Sequence, residues 1–175
     1  ARICRVCPRS ITMVLKRLHV PTMPDSIIVR PVAREDYPQW LPLWDGYNAF
    51  YGREGKTALA TEITRMTWAR FFDTHEPVHA LVAAEKERLL GIVHYLFHRS
   101  TTMIEPICYL QDLFTAEAAR GKGIGRALIE AVYDEAKKAG ASRVYWQTHE
   151  TNATARRLYD GVAERSGFIV YRRQV

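Results

Sequence analysis

The sequence predicts an α/β (α+β) fold in which a mixed, mostly antiparallel central sheet is flanked by helices. Two apolar runs, residues 78–84 and 89–97, are separated only by the charged segment 85–88, which is typical of an antiparallel hairpin. A third apolar run covers residues 107–115, and residues 123–139 then repeat apolar side chains at helical spacing. Strands and helices in this order predict one sheet covered by helices.

The segment before the hairpin predicts one strand and two helices. A short strand covers residues 27–30 and ends at Pro31. Aromatic residues at helical spacing from Trp40 onward predict a helix, which Pro42 could kink or split. A second helix is expected over residues 57–73, because its apolar side chains again lie on one face.

The second half of the chain predicts two further helices and two further strands. The helix over residues 123–139 has the clearest pattern, and Gly140 is expected to end it as a C-terminal cap. A strand over 143–148, a helix over 152–165 and a last strand over 168–172 complete the predicted order.

The composition is that of one folded domain. The chain has 175 residues, of which 47% are hydrophobic and 25% are charged. This is the ordinary balance of a globular protein that is long enough to bury a core. Its apolar runs are short and interrupted by charge, so none could cross a bilayer and no membrane partner is expected.

The basic charge is concentrated at the start of the chain. The formal net charge is +6 and the sequence pI is about 9.4, and residues 1–22 contribute five of these charges without an acid. The rest is close to neutral, so we expect no nucleic-acid partner. Residues 1–22 are interpreted as a basic N-terminal extension of doubtful function before a single domain over 23–175. A targeting segment is the alternative.

The three cysteines favour a reducing compartment. Cys4 and Cys7 form a single CxxC pair, and neither a second pair nor a histidine pair completes a four-ligand zinc site. Cys108 lies in a predicted strand, where a buried core residue is the simplest interpretation. We therefore expect no bound metal and a cytoplasmic location.

A basic, glycine-rich segment precedes the clearest helix. It consists of Arg120, Gly121, Lys122, Gly123, Ile124 and Gly125, followed by Arg126. The first turn of a helix has unpaired N–H groups and partial positive charge. Glycine lets an anion approach this backbone closely, so the segment predicts a phosphate or pyrophosphate site. A glycine-rich turn that merely enters a helix is the alternative.

Motifs in this segment and on either side of it resemble the GNAT superfamily of acetyl-CoA N-acyltransferases. That family's pyrophosphate loop has Gln or Arg, then Gly three residues later and Gly or Ala two residues after that, which Arg120, Gly123 and Gly125 match. The preceding strand of the family is similar to residues 109–115. A later helix motif and a Gly-Phe pair are matched by Asn152, Ala155, Leu158, Tyr159, Gly167 and Phe168.

The resemblance implies an enzyme that transfers an acetyl group from acetyl-CoA to a primary amine of a small molecule or peptide. The amine would attack directly in a ternary complex. Loop residues 120–126 and Asn152 would contact acetyl-CoA, and its pantetheine arm would lie along backbone groups of Leu113, Phe114 and Thr115. Tyr159, two helical turns after Asn152, would be the general acid at the sulfur. A packing role for Tyr159 in the core is the alternative.

The branch of the family that the chain resembles most acetylates polyamines, histone tails and small amines, and a homodimer is considered. Two departures limit what the resemblance transfers. Seven residues separate Tyr159 from Gly167, more than is usual, which leaves the end of that helix open. Gln111 stands where relatives acting on diamines carry a glutamate, and glutamine cannot act as a base at neutral pH. The general base therefore stays unassigned.

Candidate residues for binding the amine acceptor are Tyr51, Glu54, Gln111 and Asp112. The last of these, with His149 and Glu150, lies near a predicted strand end, where a proton relay and a solvated polar group both fit the sequence. A non-catalytic sensor that binds CoA or a nucleotide is the alternative function, although it gives Tyr159 no role.

Two histidines on the second hairpin strand are interpreted as ordinary sheet residues. His94 and His98 lie on one face of that strand, four residues apart. This separation corresponds to roughly 13 Å, too far for both to ligate one metal ion.

Overall fold

The computed structural model describes residues 26–175 and confirms the predicted fold class. One sheet holds five strands in the order β1 to β5, with these bounds: β1 (Ile27–Pro31), β2 (Val78–Glu85), β3 (Arg88–His98), β4 (Ile107–Thr115) and β5 (Val144–Tyr145). The pairings from β1 to β4 are antiparallel, and β4 pairs with β5 in parallel.

Helices cover both faces of this sheet. Their bounds are α1 (Tyr37–Phe50), α2 (Thr61–Arg70), α3 (Ile124–Lys138) and α4 (Ala153–Tyr159). The predicted helix around Trp40 forms as one continuous element, and Pro42 does not split it. Pro42 lacks only the N–H that would bond to the carbonyl of Pro38 in the first turn, so the rest of the helix keeps its hydrogen bonds.

Two hydrophobic cores lie on opposite faces of the sheet. On one face, α3 packs Leu128 and Val132 against strand residues that include Val93. On the other face, α1 packs Trp40 against residues that include Ile92. Neighbouring strand residues point to opposite faces, so β3 contributes to both cores and holds the two helical layers in register.

Two helix predictions were too long. The predicted helix over 57–73 is α2 alone. Thr57 lies in a preceding turn, where its hydroxyl is 2.7 Å from the Gly52 carbonyl oxygen and 2.8 Å from that of Glu54, and its one proton can go to either. The predicted helix over 152–165 is α4 alone. Two residues after its end, the Gly161 N–H bonds to the carbonyl of Leu158 in a turn.

The strand predictions after α3 also need correction. Only Val144 and Tyr145 of the predicted strand 143–148 pair with β4, so the strand is shorter than predicted. The predicted last strand over 168–172 does not form. Phe168 and Tyr171 are 90% and 88% exposed, and within residues 26–175 no strand pairs with this segment, so its β-prone side chains have no sheet to join.

The interpretation of residues 1–22 and of the Cys4–Cys7 pair lies outside the described residues. Cys108 is fully buried with a free thiol, as expected for a core residue. Among residues 26–175, no helix is both long and apolar enough to cross a membrane.

Candidate active site

The glycine-rich segment forms a sharp entry into α3. Gly121 and Gly123 have φ of 77° and 78°, in the left-handed region that favours glycine. The first hydrogen bond of α3 runs from the Ala127 N–H to the Gly123 carbonyl, at 3.0 Å. The N–H groups of residues 124–126 precede that bond and therefore have no partner within the helix. This geometry suits a phosphate or pyrophosphate group.

The basic side chains around this turn are placed differently from one another. Lys122 is exposed. The guanidinium of Arg120 lies 5.9 Å from the centre of the Phe114 ring. Arg126 lies 3.6 Å from Glu130 and also donates to the Gly161 carbonyl at 3.5 Å. Lys122 is thus the cation of this group with the fewest contacts inside the protein.

The edge of β4 that faces β5 is mostly unpaired. On one side β4 pairs with β3 from residue 107 to residue 115, whereas on the other side only Cys108 and Tyr109 pair with β5. Gln111 has no partner on β3, because the register shifts there as in a β-bulge, which bends the strand. Leu113, Phe114 and Thr115 therefore lie along an edge without a strand partner in the described part, an edge that can bind an extended chain.

Helix α4 follows β5 and ends at Tyr159. Asn152 is the N-cap, and its side-chain oxygen accepts the Ala155 N–H at 3.2 Å, so that oxygen is used within the helix. Tyr159 packs edge-on against Trp146, with ring centres 5.4 Å apart. Burial, and then the neighbouring Tyr51, raise the pKa of Tyr159 to about 12. Its hydroxyl is therefore protonated throughout the physiological range.

An opening lies on the face of β4 that α1 and α2 cover. It is a cavity of about 470 Å³, large enough for a small metabolite. Much of its wall is apolar, formed by Trp44, Leu59, Ile63, Phe71, Val78 and Leu96. Its charged groups are two positive side chains, Arg53 and Arg70, and one negative side chain, Asp112.

Asp112 and His94 form a buried pair in this cavity. Asp112 lies directly opposite His94 in the β3–β4 register, and its Oδ2 is 3.0 Å from His94 Nδ1. The Trp40 Nε1–H donates to His94 Nε2 at 3.0 Å. The sequence predicts an ordinary sheet histidine at position 94 and places Asp112 near a strand end. His94 is instead part of a buried polar network, and Asp112 is 8% exposed within the strand.

His98, the second histidine on this strand, does not share the cavity. Its Nε2 lies 3.1 Å from the Tyr145 hydroxyl on β5. Sequence spacing could not identify the pairing of His94 with Asp112, because a bulge of one residue decides which residue of β4 faces it.

Arg53 is the functional candidate that the sequence did not single out. The buried Asn48 fixes its side chain, since Asn48 Oδ1 accepts from Arg53 Nε at 2.7 Å. The guanidinium carbon lies 5.7 Å from the Tyr47 ring centre and 5.3 Å from that of Tyr51. No carboxylate of residues 26–175 forms a salt bridge with Arg53, whereas Arg70 contacts Glu76.

The four predicted acceptor residues are only partly brought together. Gln111 and Asp112 line the cavity. Tyr51 is 41% exposed and stacks edge-on against Tyr47, and burial followed by the Asp112 charge raises its pKa. Glu54 lies outside the cavity wall on an exposed turn. Within the described part of the chain, no group of three or more His, Cys, Asp or Glu residues could hold a metal ion.

Comparison with known proteins matches both the sequence and the fold. Residues 39–162 match the model of the acetyltransferase (GNAT) family. Over 151 residues the chain is 36% identical to the D-amino-acid N-acetyltransferase HPA3 of Saccharomyces cerevisiae, covering 85% of this chain and 91% of that protein. Over 145 residues it is 32% identical to the uncharacterized N-acetyltransferase YhfO of Bacillus subtilis, covering 82% and 94%.

A solved structure has the same fold at low sequence identity. AAC(6')-Iy, in complex with the bisubstrate analog CoA-S-monomethyl-acetylneamine, aligns with a TM-score of 0.70. The two chains are 12% identical, and the alignment covers 85% of this chain and 98% of the other. At this identity the likeness concerns the fold alone.

Proposed function

The chain belongs to the acetyltransferase (GNAT) family and is an N-acetyltransferase, and we propose that its acceptor is the amino group of an amino acid with an apolar side chain. Acetyl-CoA is the acetyl donor of this family. The observation that carries the proposal is the β4 cavity, where a positive and a negative side chain face an apolar wall.

The cavity holds opposite charges, and an amino acid has two oppositely charged ends. Burial is the largest cause that raises the pKa of Tyr47 and of Tyr51. The charge of Asp112 raises both pKa values further, and the charge of Arg53 lowers them. Both charges therefore act at the same pair of tyrosines. An amino acid carries its ammonium and carboxylate groups on one carbon, so Arg53 would bind the carboxylate and Asp112 would lie near the amine. The relative HPA3, named a D-amino-acid N-acetyltransferase, supports the same class.

The apolar wall decides which amino acids fit best. Burying an apolar side chain is favourable by roughly 1.5–3 kcal/mol, whereas a charged side chain placed against the same wall would lose its hydration without a partner. We therefore expect amino acids with apolar side chains to be preferred over acidic or basic ones.

The turn before α3 and the edge of β4 fit the donor. The unpaired N–H groups of residues 124–126 and the exposed Lys122 would hold its pyrophosphate. The unpaired β4 edge at 113–115 would bond to its pantetheine amides and polarise the thioester carbonyl. The acceptor cavity and this edge share β4, so the two substrates would meet at one strand.

The transfer requires that the amine attacks in its neutral form. Its nitrogen would bond to the thioester carbonyl carbon, and the C–S bond would then break. Of the two protons that an ammonium group loses overall, one goes to solvent and the other ends on the sulfur. An ordinary thiol has a pKa near 8.5, far below the value of about 12 for Tyr159. Tyr159 would therefore stabilise the departing thiolate mainly by donating a hydrogen bond.

Release of CoA thiol across an acceptor panel tests this proposal. The panel contains D- and L-forms of phenylalanine, leucine, glutamate and lysine, with spermidine and a histone-tail peptide as amines from other classes. We expect the apolar amino acids to give the highest kcat/KM. Higher kcat/KM for spermidine or the peptide would contradict the proposal and favour the polyamine and histone branch.

An arginine variant tests the carboxylate site directly. Arg53→Gln should raise the KM for the preferred amino acid about 10–100-fold, since a charge-assisted hydrogen bond contributes roughly 1.5–3 kcal/mol, and should leave the KM for acetyl-CoA unchanged. Arg65→Gln is the matched control, because Arg65 is an exposed arginine outside the cavity wall. Equal KM values in the two variants would mean that Arg53 does not bind the acceptor.

The cytoplasmic location and the homodimer stay predictions.

A further inference from the structure

The hydrogen bonds of His94 fix its proton. The indole N–H of Trp40 can only donate, and it lies 3.0 Å from His94 Nε2, so Nε2 must accept. The remaining ring nitrogen, Nδ1, then carries the proton and donates it to Asp112 Oδ2 at 3.0 Å. All three side chains are buried, with Trp40 at 0% and His94 at 1% exposed.

This arrangement excludes His94 as the catalytic base. A base needs a free lone pair within reach of the amine, and the lone pair of His94 Nε2 is already used by Trp40. A doubly protonated His94 would place two N–H groups against each other at that contact. His94 is therefore held neutral, and its one available proton is directed at Asp112.

Within the described part of the chain, no lysine or arginine forms an ion pair with the Asp112 carboxylate. Within residues 26–175 its only ion-pair neighbour is His94, which the Trp40 contact keeps uncharged. Three tyrosines also lie near Asp112: Tyr47 in α1, Tyr51 just after α1, and Tyr109 in β4. Burial is the main cause that raises the pKa of each tyrosine, and the Asp112 carboxylate raises it further. Arg53 and Arg70 share the cavity without pairing with it.

A buried carboxylate without a cation is costly unless a ligand supplies one. We propose that Asp112 is the receptor for the amino group of the acceptor, and that Trp40 and His94 are positioning residues that hold its carboxylate toward the cavity. This proposal rests on the proposed function, since it concerns the same cavity. Asp112, held in place by Trp40 and His94, would then make the enzyme select an amine over a hydroxyl.

A pair of ligands that differ only in this group tests the proposal. D-Phenylalanine carries the ammonium group, and D-3-phenyllactate carries a hydroxyl in its place with the same ring and carboxylate. Asp112→Asn should raise the KM for D-phenylalanine about 10–100-fold, in line with the loss of one charge-assisted hydrogen bond, and leave the inhibition constant of phenyllactate unchanged. Asp45→Asn removes an exposed carboxylate of α1 outside the cavity and is the charge-matched control.

Variants of the supports distinguish positioning from simple stability. His94→Asn retains an N–H that can reach Asp112, whereas His94→Leu does not, so only the leucine variant should approach the KM of Asp112→Asn. Trp40→Phe keeps a ring but removes the N–H that donates to His94 Nε2. In this variant the KM for D-phenylalanine should rise several-fold, while the inhibition constant of phenyllactate stays unchanged.

The outcomes separate this proposal from the proposed function. If Asp112→Asn binds D-phenylalanine as well as the wild type does, the receptor assignment is wrong even though amino acids remain the acceptors. If the wild type acetylates only an amine without a carboxylate, such as spermidine, the proposed acceptor class is wrong. Asp112→Asn is then compared with Asp45→Asn on spermidine, where a raised KM supports the receptor role and an unchanged KM overturns it.

Discussion

Gly125 in the first turn of α3 lies against Leu158 of α4, so closely that a Cβ at position 125 would be 3.2 Å from Leu158 Cδ2. This contact is tighter than ordinary van der Waals packing. It links the turn that suits the donor's pyrophosphate to the helix that carries Tyr159. Glycine at position 125 therefore allows the two helices to approach, in addition to exposing its own N–H.

Replacing Gly125 should disturb both parts of the donor site. Gly125→Ala is expected to push Leu158 outward and to weaken acetyl-CoA binding about three- to tenfold, measured by calorimetry on folded protein. Leu158→Ala removes the atom in conflict, so the double variant should bind acetyl-CoA better than Gly125→Ala alone. No recovery in the double variant would mean that Gly125 acts only through its approach to the phosphate.

The ion pair of Asp36 with Arg30 should stabilise the domain without affecting chemistry. The two Arg30 terminal nitrogens lie 2.6 and 2.8 Å from the carboxylate, which also accepts the Ala33 N–H. The Arg30 hydrogen bonds hold the pKa of Asp36 below its ordinary value. The carboxyl pKa is about 4 in the unfolded chain and lower in the folded protein. The stabilisation by the ion pair is therefore present above about pH 4 and is lost as the pH falls through the folded-state pKa.

Asp36→Asn tests that sign. At pH 7 the variant should lose about 1.5–3 kcal/mol of unfolding free energy in urea melts, the range for hydrogen bonds to a charged group, and this deficit should shrink below pH 4. Turnover per folded molecule should match the wild type. A deficit that stays constant from pH 7 to pH 3 would mean that packing, and not the charge, is responsible.

Cys108 should be chemically inert in the native protein. Burial raises the pKa of its thiol to about 12, so at pH 8 only about one molecule in 10⁴ carries the reactive thiolate. Peptide mass spectrometry after iodoacetamide treatment at pH 8 should find Cys108 unmodified until urea unfolds the domain. Because the raised pKa favours the neutral form, stability should fall as pH rises from about 9 toward 12. Rapid labelling at pH 8 without unfolding would contradict the burial.

The sequence predicted the parts of the fold that local pattern determines. The charged turn between β2 and β3 and the strongly periodic α3 were predicted to within one or two residues. The segments after α3 were not, because β5 and the 168–172 run depend on whether a distant strand offers a partner. The turn before α3 could be predicted because helix entry and glycine lie next to each other in sequence. The Asp112–His94 pair and Arg53 were missed because a bulge and a tertiary contact with Asn48 place them.

The last prediction concerns Tyr159 on α4. Phenylalanine at this position keeps the packing against Trp146 and removes only the hydroxyl, so Tyr159→Phe should melt within a few degrees of the wild type and bind acetyl-CoA almost normally. The loss of one donor to the departing sulfur should lower turnover by about 10²–10³, the usual effect of removing a positioned donor to a developing negative charge.

The pH dependence of the same pair of enzymes separates a donor from a packing residue. With a pKa of about 12, Tyr159 keeps its proton up to about pH 11, so the wild-type rate should show no alkaline loss near pH 10, where an ordinary tyrosine ionises. Single-turnover measurements from pH 7 to pH 10.5 should give a constant ratio between wild type and Tyr159→Phe. A core tyrosine would instead cost stability and leave the rate per folded molecule unchanged. Near-normal turnover in the variant would assign stabilisation of the departing thiolate to another group or to water.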